Sequence, residues 1–375
     1  MFDNRLEPIK ILFVANTGWY LFNFRLAFAE YLRARGHEVL FVSPRDEYFP
    51  KLESAGFRVI DWPLGRKSLN PISEFRALLL LLRIYKEEKP DLCHHFTIKC
   101  VLYGSLAAMI SHTRRVINSV TGLGHFFLSD RFVIRVLRAP IFFLYRFLAN
   151  RRGTRYIFQN LEDQNLFEQL GLVPREICRL VRGSGIDLQY FSRTPLPQSR
   201  RILFASRMLK EKGIYELIEA VSLAQREEKF AMIFAGSVDE GNPSAISRQE
   251  LDAWQSDGLI VYLGHLPSIR EEIEKADIVV LPSYREGLPR ILLEAAAMGR
   301  ALIASDVPGC REVVQHEQNG LLVPARDAVA LKQAILRLLR DETLRNSLSD
   351  AAAKTALDFG EENVYSSTLR VYEEL

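Results

Sequence analysis

Apolar and polar positions along this chain switch repeatedly between two periods. Short, nearly continuous apolar runs predict buried strands, and the stretches between them, with apolar residues three or four apart, predict helices. Lys10–Ala15 (KILFVA) reads as the first strand. A helix is expected over Leu21–Arg35, ending at Gly36, where glycine suits the left-handed residue that follows a helix. Val39–Val42 and Phe57–Asp61 read as strands. Ile72–Glu88 reads as a long leucine-rich helix that stops before Pro90. Leu92–Phe96 and Arg115–Ser119 are strands around a helix at Cys100–Ser111, and Thr154–Phe158 and Ile177–Val181 complete this half.

The pattern then restarts. Ile202–Ser206 is a strand and Ile214–Ala224 a helix. Strands are expected at Ala231–Ala235, Ile260–Leu263, Ile278–Leu281, Ala301–Ala304 and Leu321–Val323. Helices are expected at Leu288–Met298, Val329–Arg340 and Leu344–Phe359. Strand–helix alternation of this kind implies parallel βαβ units. The break between halves falls near Tyr190–Arg200, a polar segment with Pro195 and Pro197. The expectation is two doubly wound α/β domains of similar size. In such sheets ligands bind beyond the carboxyl ends of the strands, and with two domains the cleft between them is the default site.

Composition narrows the class. The chain has 375 residues, 48% of them apolar, which suits about two packed domains of roughly 100–200 residues each and excludes a disordered chain. Cys93, Cys100, Cys178 and Cys310 make no C-x-x-C pair and no disulfide framework, which fits a reducing cytosol. No apolar run approaches the ~18 residues of a membrane span, and the first residues do not read as a secretory leader. The net charge of +3 hides an asymmetry. Residues 1–195 carry 28 Lys/Arg against 18 Asp/Glu, leaving 21 against 28 for residues 196–375. The basic half is a candidate for meeting an anionic partner.

The candidate chemistry lies at predicted strand ends. Arg207 and Lys212 leave the first strand of the second half just before a helix, where two cations can neutralise a diphosphate. Glu286-Gly287-Leu288-Pro289-Arg290 follows the strand Ile278–Leu281, and Glu294 lies on the next helix. Gly287 permits close backbone approach, Pro289 suits a first helical turn, and the free N–H groups there favour phosphate. A carboxylate such as Glu294 can accept hydrogen bonds from two vicinal hydroxyls, so a sugar or ribose is a natural partner. Each residue alone is compatible with a solvated loop or helix surface. The Glu-x7-Glu spacing around a helix-start Gly/Pro is much more specific. Gly18, in Asn16-Thr17-Gly18-Trp19-Tyr20, lacks the G-x-G-x-x-G dinucleotide fingerprint but can let a loop approach phosphate.

Arg207 with Lys212, followed by Glu286-x7-Glu294 inside twin α/β domains, resembles a retaining glycosyltransferase of family 4 with the GT-B fold, two Rossmann-like domains facing across a cleft. Val181–Phe191 (VRGSGIDLQYF), Asp306–Val314 and Asn319–Val323 are similar to further segments of that family. The resemblance implies an N-terminal acceptor domain at residues 1–190, a nucleotide-sugar domain at 191–360, and a C-terminal helix at 361–375 packing back on the first domain. It implies that Arg207 and Lys212 hold the donor diphosphate and Glu294 the ribose. Glu286 would face the sugar hydroxyls, the backbone of Gly287, Leu288, Pro289 and Arg290 the distal phosphate, and Tyr262 to His265, with Gly264, the base. Glu286, Arg207 and Lys212 are the catalytic candidates. No metal and no other cofactor is expected, since no D-x-D motif appears. Many family members place a His-Gly pair after the fifth strand; here it is Thr121-Gly122, with His125 three residues on.

Within the family, Tyr284–Arg290 and Ser119–Gly124 resemble a bacterial branch that extends undecaprenyl-diphosphate-linked saccharides. A hexose or N-acetylhexosamine from a UDP-sugar is the expected cargo. Residues 131–155 contain seven Arg, among them Arg131, Arg135 and Arg138, and no Asp or Glu, interleaved with aromatic and aliphatic residues. Such a segment reads as a helix in an anionic membrane interface or as a buried helix with a basic rim. The first reading gives a peripheral protein on the cytoplasmic face of the membrane and a lipid-linked acceptor. No recognition module supports nucleic acid. The alternative function is a nucleotide-sugar epimerase on the same fold.

Overall fold

The computed structural model describes residues 7–65, 70–121, 132–239 and 241–375, with the side chains of 132–137 outside that description. In chain order the elements are β1 (Lys10–Val14), α1 (Gly18–Phe24), α2 (Leu26–Arg33), β2 (Glu38–Ser43), α3 (Phe49–Ser54), β3 (Arg58–Asp61), α4 (Pro71–Glu88), β4 (Leu92–Phe96) and α5 (Ile98–Ile110). Then come β5 (Arg115–Val120), α6 (Phe132–Ala149), β6 (Thr154–Phe158), α7 (Leu161–Gln169) and β7 (Cys178–Leu180). The second half holds β8 (Arg201–Ala205), α8 (Ile214–Ala224), β9 (Ala231–Ala235), α9 (Arg248–Ser256), β10 (Val261–Tyr262), α10 (Arg270–Glu274) and β11 (Ile278–Leu281). It continues through α11 (Arg290–Ala297), β12 (Ala301–Ser305), α12 (Pro308–Arg311), β13 (Leu321–Val323), α13 (Ala328–Arg340), α14 (Glu342–Ala356) and α15 (Glu361–Glu373).

Two units emerge, Met1–Ser184 with Glu362–Leu375, and Gly185–Glu361. The chain enters the second unit at Gly185, ahead of the proline-containing segment. The reason is local: Ile186 donates its N–H to the Phe359 carbonyl at 3.0 Å, and its side chain is buried in the second unit's core.

The first sheet runs β3-β2-β1-β4-β5-β6-β7 and the second β10-β9-β8-β11-β12-β13, with parallel pairing throughout the described ladders. Strand side chains alternate between faces, so both faces of a covered sheet must be apolar. In β1, Ile11 and Phe13 pack with Phe28 of α2 and with Tyr365 and Tyr372 of α15, whereas Leu12 and Val14 pack with Leu81 and Ile84 of α4. Each such burial stabilises by about 1.5–3 kcal/mol.

The expected helix over Leu21–Arg35 is two helices. Arg25 breaks it at φ −130° because its side chain turns inward. The guanidinium is buried, lies 4.4 Å from the Phe96 ring centroid and donates to the Tyr20 hydroxyl at 2.7 Å. That interaction replaces a continuous helix with a bend. The helix expected from Leu288 begins at Arg290, with Pro289 in the extended N-cap position. Helix α9 has a capping box: the Ser247 hydroxyl accepts from the Glu250 N–H, and the Glu250 carboxylate accepts from the Ser247 N–H at 2.8 Å.

His94 and His95, at the end of β4, are packed rather than presented to a ligand. His95 Nδ1 lies 2.7 Å from the Asn118 side-chain oxygen and Nε2 lies 2.7 Å from the Tyr85 hydroxyl. The amide oxygen only accepts, so Nδ1 carries the proton and Nε2 accepts from Tyr85. Burial lowers the His95 pKa to about 4 and holds His94 well below the ordinary histidine value. His94 joins the Tyr372 hydroxyl of α15 (2.6 Å) to the Ser119 hydroxyl of β5 (2.7 Å), which fastens the C-terminal helix to the first unit.

Candidate functional site

In the second unit the ends of adjacent strands bring the predicted residues into a row. Tyr262 and Gly264 lie at the end of β10, Arg207 and Lys212 follow β8, and Glu286 to Arg290 follow β11. The row begins with backbone closeness. The Gly236 N–H donates to the Gly264 carbonyl at 2.7 Å, and the Tyr262 hydroxyl donates to the Gly236 carbonyl at 2.8 Å. Gly236 has φ +141°, and a Cβ there would sit 1.7 Å from the Ser206 carbonyl oxygen, so only glycine allows β8 and β9 to leave the sheet this close together.

The centre of the row is an ion pair. Lys212 Nζ donates to Glu286 Oε1 at 2.5 Å, with both side chains largely buried, 17% and 13% exposed. Two more cations of the row are also held by carboxylates. Arg207 Nη1 donates to Asp239 Oδ2 at 3.1 Å and is 45% exposed, and Arg290 Nε donates to Glu294 Oε1 at 3.2 Å. Glu294 is buried in α11. Loss of hydration raises its pKa, and Arg290 acts against that rise. A buried carboxylate one helical turn beyond Arg290 has one oxygen engaged by that guanidinium and remains able to accept hydroxyl hydrogen bonds.

Five contacts fix this geometry. The Tyr284 N–H donates to the Glu211 carbonyl at 2.9 Å, tying the loop after β11 to the turn that carries Lys212. The Tyr284 hydroxyl donates to Glu216 Oε1 at 2.7 Å, and the Arg326 guanidinium lies 4.5 Å from its ring centroid. Gly213 has φ +70°, and a Cβ there would lie 2.0 Å from the Pro282 carbonyl oxygen. Gly309 of α12 also presses close: a Cβ there would meet the carbonyl oxygens of Glu286 and Gly287 at 2.6 and 2.4 Å. Lys212 and Glu286, 74 residues apart, therefore meet because glycines let their backbones touch.

The remaining predicted residues belong to the first unit. Gly18 opens α1, and the Asp46 carboxylate accepts from the Trp19 N–H at 3.1 Å, with Asp46 Oδ1 2.4 Å from a Cβ built at Gly18. Gly18 thus lies against the Asp46 carboxylate, a neighbour that the sequence does not announce. Thr121 is half-buried just beyond β5. His125 and Arg131 lie outside the described residues, as does the side chain of Arg135; Arg138 is half-buried on α6.

A different surface is visible on the helices of this unit. Helix α5 lies between α4 and α6 on one face of the first sheet. On α4, Ile72, Phe75 and Leu79 are exposed along one stripe with Arg76 beside it, and on α6 Phe143 and Phe147 are exposed at 69% and 51%. Among the described residues, no helix is long and apolar enough to cross a membrane.

Two family models match the chain, one described as "Glycosyl transferase 4-like" over residues 10–160 and the other as "Glycosyl transferases group 1" over residues 199–341. The N,N'-diacetylbacillosaminyl-diphospho-undecaprenol alpha-1,3-N-acetylgalactosaminyltransferase of Campylobacter jejuni is 31% identical, over 97% of this chain and 98% of its own. The chain belongs to this glycosyltransferase family. The enzyme also resembles the capsular polysaccharide biosynthesis glycosyltransferase CapM of Staphylococcus aureus, 24% identical over 92% of this chain and 90% of its own. Among solved structures, Anabaena HepE in complex with UDP superposes with a TM-score of 0.81 at 20% identity, covering 98% of this chain and all of its own. That likeness shows the fold, the pair of Rossmann-like units called GT-B.

Sequence reasoning found the residues of the enzyme that sit in the motif and missed those that hold them. Asp239, Glu216, Arg326 and Gly309 were not singled out. Asp239 follows β9 as Lys212 follows β8, so its position past a strand end was the available signal. Arg326 adopts φ +65°, uncommon for a residue with a side chain, and only the folded backbone reveals it.

Proposed function

We propose that this enzyme transfers a hexose or N-acetylhexosamine from a UDP-sugar, with retention of anomeric configuration, to an undecaprenyl-diphosphate-linked saccharide in bacterial surface glycan or glycoprotein assembly. The observation that carries the donor half is the Lys212–Glu286 pair at the carboxyl edge of the second sheet, flanked by Arg207 and by Glu294 on α11. A departing diphosphate gains negative charge as the anomeric C–O bond breaks. Arg207 and Lys212 are placed to offset that charge, and the N–H groups at the start of α11 add to it. Glu294 would take the ribose hydroxyls and Glu286 the sugar hydroxyls. Both cations come from the chain itself, which supports transfer without a divalent metal. Glu286 as a covalent nucleophile and front-face departure remain alternative routes on this geometry.

The acceptor half rests on the relative that acts on a diphospho-undecaprenol and on the first unit's surface. The exposed apolar side chains of α4 and α6 with Arg76 fit an anionic membrane interface, where apolar area and basic charge act together. The isomerase alternative finds no support among the relatives, which are named as transferases.

One assay tests the whole reading: a panel of UDP-sugars offered with a short undecaprenyl-diphosphate saccharide in vesicles, with and without EDTA. Transfer with retained configuration that survives EDTA and runs faster on phosphatidylglycerol vesicles than on zwitterionic ones is expected. Loss of transfer with EDTA overturns metal independence. Equal rates on both vesicles remove the membrane claim. Epimer formation without transfer overturns the function.

A further inference from the structure

The donor site as it stands is charge-neutralised by its own residues, and its pairs differ in strength. Arg207 is nearly half exposed, so its pair with Asp239 is screened by solvent and weak. The Lys212–Glu286 pair is short and largely withdrawn from water, and it is held in place by the backbone contacts of Gly213 and Gly309. A diphosphate arriving at Lys212 must therefore displace a carboxylate that cannot drift far away. The anion and the Glu286 carboxylate then compete for one ammonium group in a space with little water, where like charges repel strongly.

Resting on the donor-site reading above, we infer that Glu286 acts as an ion-pair latch on Lys212 and selects against the spent nucleotide. When a complete donor binds, Glu286 loses its pair with Lys212 but can accept hydrogen bonds from sugar hydroxyls. When only the nucleoside diphosphate remains, no hydroxyl replaces the lost pair, and an uncompensated carboxylate stands beside the phosphates. Re-forming the Lys212–Glu286 pair then favours product release. Glu286 thereby holds a second role beside the one it has in transfer, that of weakening the grip on the product.

The latch makes a prediction opposite in sign to that of an ordinary contact residue. Removing the charge of Glu286 strengthens the binding of UDP instead of weakening it. UDP alone is titrated calorimetrically into the wild type, Glu286→Gln, Glu286→Ala, Lys212→Ala and the Glu286→Gln/Lys212→Ala double variant, each shown by a thermal melt to be folded at the titration temperature. Both Glu286 variants are expected to bind UDP about threefold to tenfold more tightly than the wild type. Lys212→Ala is expected to bind it more weakly, and the gain from Glu286→Gln to shrink in the Lys212→Ala background, because the part that comes from freeing Lys212 is lost while relief of the carboxylate–phosphate repulsion persists. Unchanged or weaker UDP binding in both Glu286 variants, with Lys212→Ala still impaired, overturns the latch alone. A gain as large in the Lys212→Ala background as in the wild type also overturns it. Unchanged UDP affinity in Lys212→Ala overturns the donor-site reading itself.

Discussion

Replacing Lys212 by alanine is expected to lower kcat/KM by about a hundredfold to a thousandfold, a loss typical of removing one preorganised charge from a developing anion. Lys212 stands in the turn before α8, and its ammonium is the least solvent-exposed of the cations shown here to pair with a carboxylate in the row. A group shielded from water stabilises charge more than an exposed one, which is why this residue outweighs Arg207. The substitution leaves the largely buried Glu286 carboxylate unpaired, so a lower melting temperature accompanies the activity loss in a protein that still folds. Steady-state kinetics beside a thermal melt reads both effects. A kcat/KM within threefold of the wild type, with the protein folded, contradicts the assignment.

Gly213→Ala is expected to damage the same site without touching its chemistry. The residue sits at φ +70°, where a side chain costs about 1–2 kcal/mol, and its new Cβ would lie 2.0 Å from the Pro282 carbonyl oxygen. Pro282 is rigid backbone, so the turn carrying Lys212 must move away from the loop carrying Glu286. A total cost of about 3 kcal/mol lowers the unfolding midpoint by roughly 6–12 °C for a unit of this size. Donor turnover falls at least tenfold because the two chains no longer meet. Gly258→Ala is the control: it has φ +74° with nothing within 4 Å of a Cβ, so it carries the strain without the collision and leaves turnover intact. Equal activity losses in the two variants would show that backbone strain, and not the contact with Pro282, is responsible.

The legible part of this protein was the part written in local pattern. Strands such as Ala231–Ala235 and Ile278–Leu281 are continuous apolar runs, and the helix at Ile214–Ala224 follows from its spacing alone. Glu286 and Glu294 were legible because a helix start fixes the distance between them. What stayed hidden depends on neighbours distant in sequence. Arg25 breaks a helix because of Phe96, and Gly309 is a glycine because of Glu286 and Gly287. The partner of Arg207, Asp239, lies 32 residues away on the next strand's end. The start of α11 was placed too early because Pro289 suits either the N-cap or the first turn, and the carbonyl geometry that decides between them is tertiary. Helix α9 was overlooked although Ser247-x-x-Glu250 announces its cap.

A nucleoside diphosphate is expected to bind with its phosphates between Arg207 and Lys212 and its ribose on Glu294. A crystal structure of the enzyme with UDP measures this directly. Phosphate oxygens within hydrogen-bond distance of both cations, and ribose hydroxyls on the Glu294 carboxylate, are the predicted result. UDP bound with its phosphates away from Lys212 and Arg207 would contradict the account.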